Sequence, residues 1–167
     1  MLFGSIAWQS VAEVLEATAS DAPAPGSGAA AALALGLGVA CASKAARITL
    51  KHHPERQALA AADARLGEIR ADALRDGDGD AACFAALVAH EPGVAERLVE
   101  IGEHLLARTL HARALVAEME ASVAPIMRND LLAARLLIDS AEAIVRANLA
   151  GTAGAQSSSD NCSDAVM

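Results

Sequence analysis

From Gly28 to Ser43 the chain reads GAAAALALGLGVACAS, 16 residues without a charge. Alanine and leucine are strong helix formers, so the stretch is predicted to be helical. It is short of the roughly 20 apolar residues that cross a bilayer, and Lys44, Arg47 and Lys51 follow within the same helical pattern. A helix apolar around its first four turns belongs in the middle of a protein, touched on every side. Gly36 and Gly38 weaken it but let a neighbouring backbone come close. The expectation is a buried Ala/Gly-rich central helix whose all-round apolar surface favours a dimer over a monomer.

What surrounds that helix follows from composition. Apolar residues make up 54% of the 167, enough for one core, while aromatics are only 2%. Small side chains must therefore fill the interior, which suits closely spaced helices. β-Branched and aromatic residues never cluster with period two, so no strand is predicted. The fold class is all-α, a single-domain bundle of about six helices. The domain is expected over residues 1–150, followed by a disordered tail, 151–167, that is small, polar and unpatterned.

Caps and breakers place the helices. Ser5 to about Ala19 is amphipathic, with Ile6, Val11, Val14 and Leu15 as its apolar side. Pro54 closes the central helix and opens the next. The run Asp76-Gly77-Asp78-Gly79-Asp80 is expected to break that helix, with a new one resuming at Asp80. Glu91-Pro92-Gly93 marks a turn, Val94 to about Val123 a long helix, and Arg128-Asn129-Asp130 the cap of the last one.

Charge and cysteines exclude several functions. A net charge of −8 with no Lys/Arg-rich block argues against nucleic acid as a partner, and the charge-free run is too short to make a membrane one. The N-terminus carries Glu13 and Glu16 and has no basic region, so it does not read as a signal peptide. Cys41, Cys83 and Cys162 are widely spaced, as free thiols of a cytoplasmic protein would be, the first two expected to be buried.

Few residues offer chemistry. Asp76, Asp78 and Asp80 alternate as in a calcium loop, but Ala81 and Leu87 stand where that loop needs glycine and glutamate. The cluster is read instead as helix-capping carboxylates, one of which could face a cleft as general acid or base. His104 and His111 are too far apart to share a metal, so no metal is expected. Lys44, Arg47 and Lys51 line one face of the central helix, answering its dipole or binding an anion. Pro25, Gly26 and Gly28 make a rigid turn at the start of that helix, where backbone N–H groups can meet an anion or a polar heterocycle.

Taken in order, the turn Pro23-Ala24-Pro25-Gly26-Ser27-Gly28, the helix through Thr49-Leu50-Lys51, the stretch Asp80 to Phe84, and Asn129-Asp130-Leu131 with Asn148 resemble the all-α cyclodeaminase family. That family includes the cyclodeaminase domain of formiminotransferase-cyclodeaminase and stand-alone methenyltetrahydrofolate cyclohydrolases. The resemblance spans roughly residues 6 to 150, the proline-glycine turn being its most specific part. Ser27 replaces a family glycine, the segment after the Asp80 helix is shorter, and a second asparagine after Asn148 is missing.

The resemblance implies a helical homodimer whose substrate is a tetrahydrofolate derivative carrying a one-carbon unit. Ring closure with loss of ammonia, or attack of water on the methenyl carbon, both call for acid–base carboxylates. On this reading Asp80 and Asp130 are the acid–base pair and Lys51 places the cofactor or assists proton transfer. Pro25, Gly26, Ser27, Gly28 and Asp78 shape and bind at the pocket, and Asn148 bonds the pterin. Arg47 or Lys44 would meet the acidic tail of the folate. The alternatives are a non-catalytic folate-binding or scaffold dimer and an enzyme of the same fold acting on another substrate.

Overall fold

The computed structural model describes residues 5–163. Five α-helices follow one another: α1 (Val11–Ala19), α2 (Ser27–His52), α3 (Gln57–Val88), α4 (Val94–Met119) and α5 (Arg128–Ser163). Two short 3-10 turns, Ile6–Trp8 and Pro125–Met127, precede α1 and α5. No strand occurs among the described residues, and the fold is all-α. The four long helices form a bundle in which α2 and α4 each pack against α3 and α5 and face each other across the core. Leu35 and Val39 of α2, Leu66 of α3, Val116 of α4 and Ile138 of α5 are fully buried at its centre.

Small residues set the helix spacing, as the low aromatic content requires. A Cβ on Gly38 would meet Ile138 at 2.9 Å and the Ala134 carbonyl at 3.1 Å, so α2 and α5 touch at that glycine. Thr49, fully buried near the end of α2, donates its hydroxyl to the Ala45 carbonyl and accepts the Ala124 N–H at 3.0 Å. That bond fastens the α4–α5 connection to α2.

Four sequence expectations are corrected by the structure. The helix α3 does not break at residues 76–80 but runs through them without interruption. Each residue of the run has a partner that offsets its poor helix propensity. Asp76 accepts from Arg108 of α4 at 2.7 Å, and Asp78 accepts from the Ser5 hydroxyl at 2.5 Å and the Ile6 N–H at 2.7 Å. Gly77 makes room for Ile6 and Ala32, and Gly79 for Ile101. The run is therefore a contact surface, and five α-helices replace the six segments.

Next, α2 is not covered on every side. In a four-helix bundle each helix has two flanking neighbours and one across the core, which leaves an outer face. Leu37 on that face is 58% exposed, Lys44, Arg47 and Lys51 are exposed, and Leu33, Ala40 and Cys41 are only partly buried. By length and composition α2 could cross a membrane, but most of its apolar stretch lies inside the bundle.

The first helix is also shorter than expected. A capping box between Ser10 and Glu13 starts it at Val11. Val14 is buried and Ile6 is buried in the preceding turn, but Val11 and Leu15 are 77% and 65% exposed. Finally, the cap expected at Arg128–Asp130 is replaced by a helix that begins at Arg128 directly after the Pro125–Met127 turn. That helix is drawn to Ser163, and residues 164–167 of the expected tail lie outside the described residues.

Candidate functional site

The start of α2 lacks an ordinary cap. Its N-cap residue is Gly26, which has no side chain to accept the orphan N–H groups of the first turn. Asp80, from the middle of α3, takes that role and accepts the Ala29 N–H. Gly28 permits it, because a Cβ there would overlap the Asp80 carboxylate. The turn before it contains a cis bond between Ala24 and Pro25, both buried. Ser27 reaches sideways and donates to the Asn148 side-chain oxygen at 3.0 Å, tying α2 to α5.

These residues frame a cavity of about 400 Å³ at one end of the bundle. Gly26, Ser27, Gly28, Asp80 and Asn148 form one side, and Phe84, Leu98, Ile101, Leu105, Val145 and Leu149 supply most of the apolar remainder. Its size is within the ordinary range for a small-molecule site. Gly102 widens the wall, since a Cβ there would meet Leu149 at 2.8 Å. Among the lining residues Asp80 is the one ionisable group.

Burial pushes the Asp80 carboxyl above the usual carboxylate range, and the Ala29 N–H pulls it partly back. A carboxyl so placed keeps its proton to higher pH than an exposed one and is a candidate to pass it to a ligand. One turn earlier on α3, burial also raises Asp76, opposed chiefly by Arg108. Arg108 reaches Asp72 at 3.3 Å as well, so this cluster braces α3 against α4 beside the cavity.

The other residues read from sequence are not gathered here. Asp130 pairs with Lys44 at 2.8 Å and Arg47 with Asp63 at 2.8 Å, both toward the far end of α2. At 1.5 Å per residue, Lys44 is about 24 Å and Lys51 about 34 Å along α2 from Gly28. Lys51 is exposed. Asp78, one of the expected binding residues, is engaged with Ser5 and Ile6 and is absent from the cavity wall. Pro25 is buried behind the turn rather than lining the cavity. Within one chain, then, Asp80, Gly26, Ser27, Gly28 and Asn148 come together, and Asp130, Lys51 and Arg47 do not join them.

Sequence reading missed the apolar wall. Leu98, Ile101 and Leu105 of α4 recur at helical spacing like any core stripe, and nothing in their pattern separates a wall from a core. Phe84, 39% exposed and one turn beyond Asp80, was the available signal.

Residues 10–92 match the model of the formiminotransferase-cyclodeaminase family. The chain is a member of the cyclodeaminase family. The matched span contains α1, α2 and all of α3, hence the Pro-Gly turn, Gly28 and Asp80. The half of this cyclodeaminase-family chain that carries Asp130 and Asn148 lies beyond the match. No curated protein matches the sequence.

Proposed function

We propose that this cyclodeaminase-family chain acts on a tetrahydrofolate carrying a one-carbon unit, as a formiminotetrahydrofolate cyclodeaminase or a methenyltetrahydrofolate cyclohydrolase. The observation that carries the reading is Asp80, a partly buried carboxyl with a raised pKa, in a ring-sized cavity beside the Pro-Gly turn of the matched span. In the first reaction N10 attacks the formimino carbon, the bond from that carbon to its exocyclic nitrogen breaks, and ammonia leaves. In the second, water adds to the methenyl carbon, a proton is lost and the bond from carbon to N5 breaks. Protonated Asp80 suits the donation to departing nitrogen, and the ionised form suits removal of a proton from water.

The apolar walls would hold the flat ring system and exclude water, while Asn148 and the Ser27 hydroxyl offer hydrogen bonds to its polar edge. Asp130 would be the second acid–base group and Lys51 and Arg47 the cations for the anionic tail, supplied outside the single-chain cavity. The location proposed is the cytoplasm. A non-catalytic folate-binding dimer is favoured over an enzyme by one observation, the position of Asp130 at the opposite end of α2 from Asp80.

The absorbance of methenyltetrahydrofolate separates these readings. Its loss to water, or its appearance from formiminotetrahydrofolate, is expected with the purified protein and names the reaction. Binding without turnover in either direction would favour the non-catalytic reading. Neither binding nor turnover by the folded protein would overturn the folate assignment.

A further inference from the structure

The short turn Ile6–Trp8 is fastened to the middle of α3. Both oxygens of the Asp78 carboxylate are engaged: one accepts the Ser5 hydroxyl at 2.5 Å and the other the Ile6 N–H at 2.7 Å. The Ser5 hydroxyl oxygen also accepts the Ala7 N–H at 3.2 Å, which starts the turn. Hydrogen bonds to an ionised carboxylate are about twice as strong as neutral ones, and two of them on one group fix both the place and the direction of the turn.

What this clasp delivers is one side chain. Trp8 is 90% exposed, whereas Ile6 in the same turn is 7% exposed. A Cβ on Gly77 would meet the Ile6 Cδ1 at 2.7 Å, the Ala32 Cβ at 3.0 Å and the Ala29 Cα at 3.9 Å, so Ile6, α3 and the first turns of α2 converge on one point. Ala29 is the residue whose N–H Asp80 accepts. It lies in the first turn of α2, where no carbonyl of the helix is available to that N–H. Ile6 is absent from the cavity wall, so it closes the α2–α3 junction from behind. Two residues on a helix are about 200° apart, which sends Asp78 toward the clasp and Asp80 toward the cavity.

We infer that Asp78 and Ile6 are positioning residues for Asp80: the clasped turn wedges Ile6 behind Gly77 and Ala29, fixing the first turn of α2 against α3 and keeping water from the back of the Asp80 carboxyl. Asp78 thus serves the site without touching a ligand. Burial and the Ala29 N–H are the two influences on Asp80, and the wedge governs both. No charged side chain is among them, although the Asp76–Arg108 pair stands one turn back on α3 and Asp78 stands on its other side. The effect on Asp80 stands on these contacts, whereas its consequence for turnover rests on the folate reading.

Amide exchange and the titration of Asp80, both followed by NMR, test the wedge without any substrate. In Ile6→Ala the Ala29 N–H is expected to exchange about ten-fold faster, and the Asp80 carboxyl to titrate lower, toward the ordinary value of about 3.9. Asp78→Ala releases both bonds while keeping Ile6, and should move both readouts the same way. Ile6→Leu is expected to hold them near their unaltered values, and Trp8→Ala, in the same turn, to leave them unchanged. With methenyltetrahydrofolate, kcat of Ile6→Ala should fall with KM little changed, and its pH profile should move down with the Asp80 titration. Exchange and titration unchanged in both Ile6→Ala and Asp78→Ala overturn the inference. So does a loss of turnover with neither readout moved, which is a loss of stability alone. Shifted readouts in the variants of a protein that neither binds nor turns over folate support the wedge while overturning the folate reading.

Discussion

Gly28 stands where any side chain would enter the carboxylate of Asp80, so the first turn of α2 and the middle of α3 share one space. The carboxylate caps the helix that the glycine begins. Folding of the turn and placement of the acid are thus a single event.

Gly28→Ala should consequently damage both. The added methyl must expel the Asp80 side chain or push α2 from α3, at about 1–3 kcal/mol, the range for overpacking. Chemical denaturation measures the loss, and folate turnover should fall at least as far as in Asp80→Asn.

Asp80→Asn separates charge from shape and carries a pH signature. Because burial raises the folded-state pKa of Asp80, the folded protein binds this proton more tightly than the unfolded chain does. Its contribution to stability is present below the ordinary carboxylate pKa, about 3.9, and declines as pH climbs from there through the raised value. The asparagine variant should lack that decline. Subtracting its melting temperature from that of the unaltered protein, point by point across pH, should give a difference that becomes more negative from pH 4 upward and then levels. A flat difference would mean that Asp80 ionises as freely as in water.

The two central glycines of α2 should respond in opposite ways. Gly38→Ala must displace Ile138 or the α5 backbone and is expected to destabilise the chain by about 1–3 kcal/mol. Gly36→Ala meets nothing within the chain, so it should stabilise by up to about 1 kcal/mol through helix propensity. Chemical denaturation of both variants measures the contrast.

Arg108→Ala should loosen the brace beside the cavity. It leaves the mostly buried Asp76 without its ion-pair partner, while Asp72 keeps Arg75, at about 1–3 kcal/mol once partial solvent screening is allowed for. Since the cost is that of an uncompensated carboxylate, it should be greater at pH 7 than at pH 4. Parallel denaturation curves at the two pH values decide it.

The all-α class and the helix-forming stretch 28–43 were legible because they depend on composition and period alone. So was the Pro-Gly turn, whose neighbour Asp80 was named without its geometry being known. The continuity of α3 was not legible, since Gly77 and Gly79 look like breakers until Ile6, Ala32 and Ile101 are seen filling the space above them. Long-range partners overrode local propensity there. The uncovered face of α2 was hidden for a related reason: Leu37 and Leu35 have the same polarity, and only the arrangement of neighbours decides that one is exposed and the other fully buried.

The unbroken course of α3 also fixes what insertions and deletions the chain can tolerate. In a loop between two helices, one residue more or less at positions 76–80 would be absorbed locally. Within a rigid helix each residue turns everything after it by about 100°. A single deletion at Gly79 would swing either Asp80 out of the cavity or Asp72 and Asp76 away from Arg108, because the two sets of contacts lie on the same rod. The glycine-aspartate run looks like the most expendable part of the sequence, yet its length is among the least free to change.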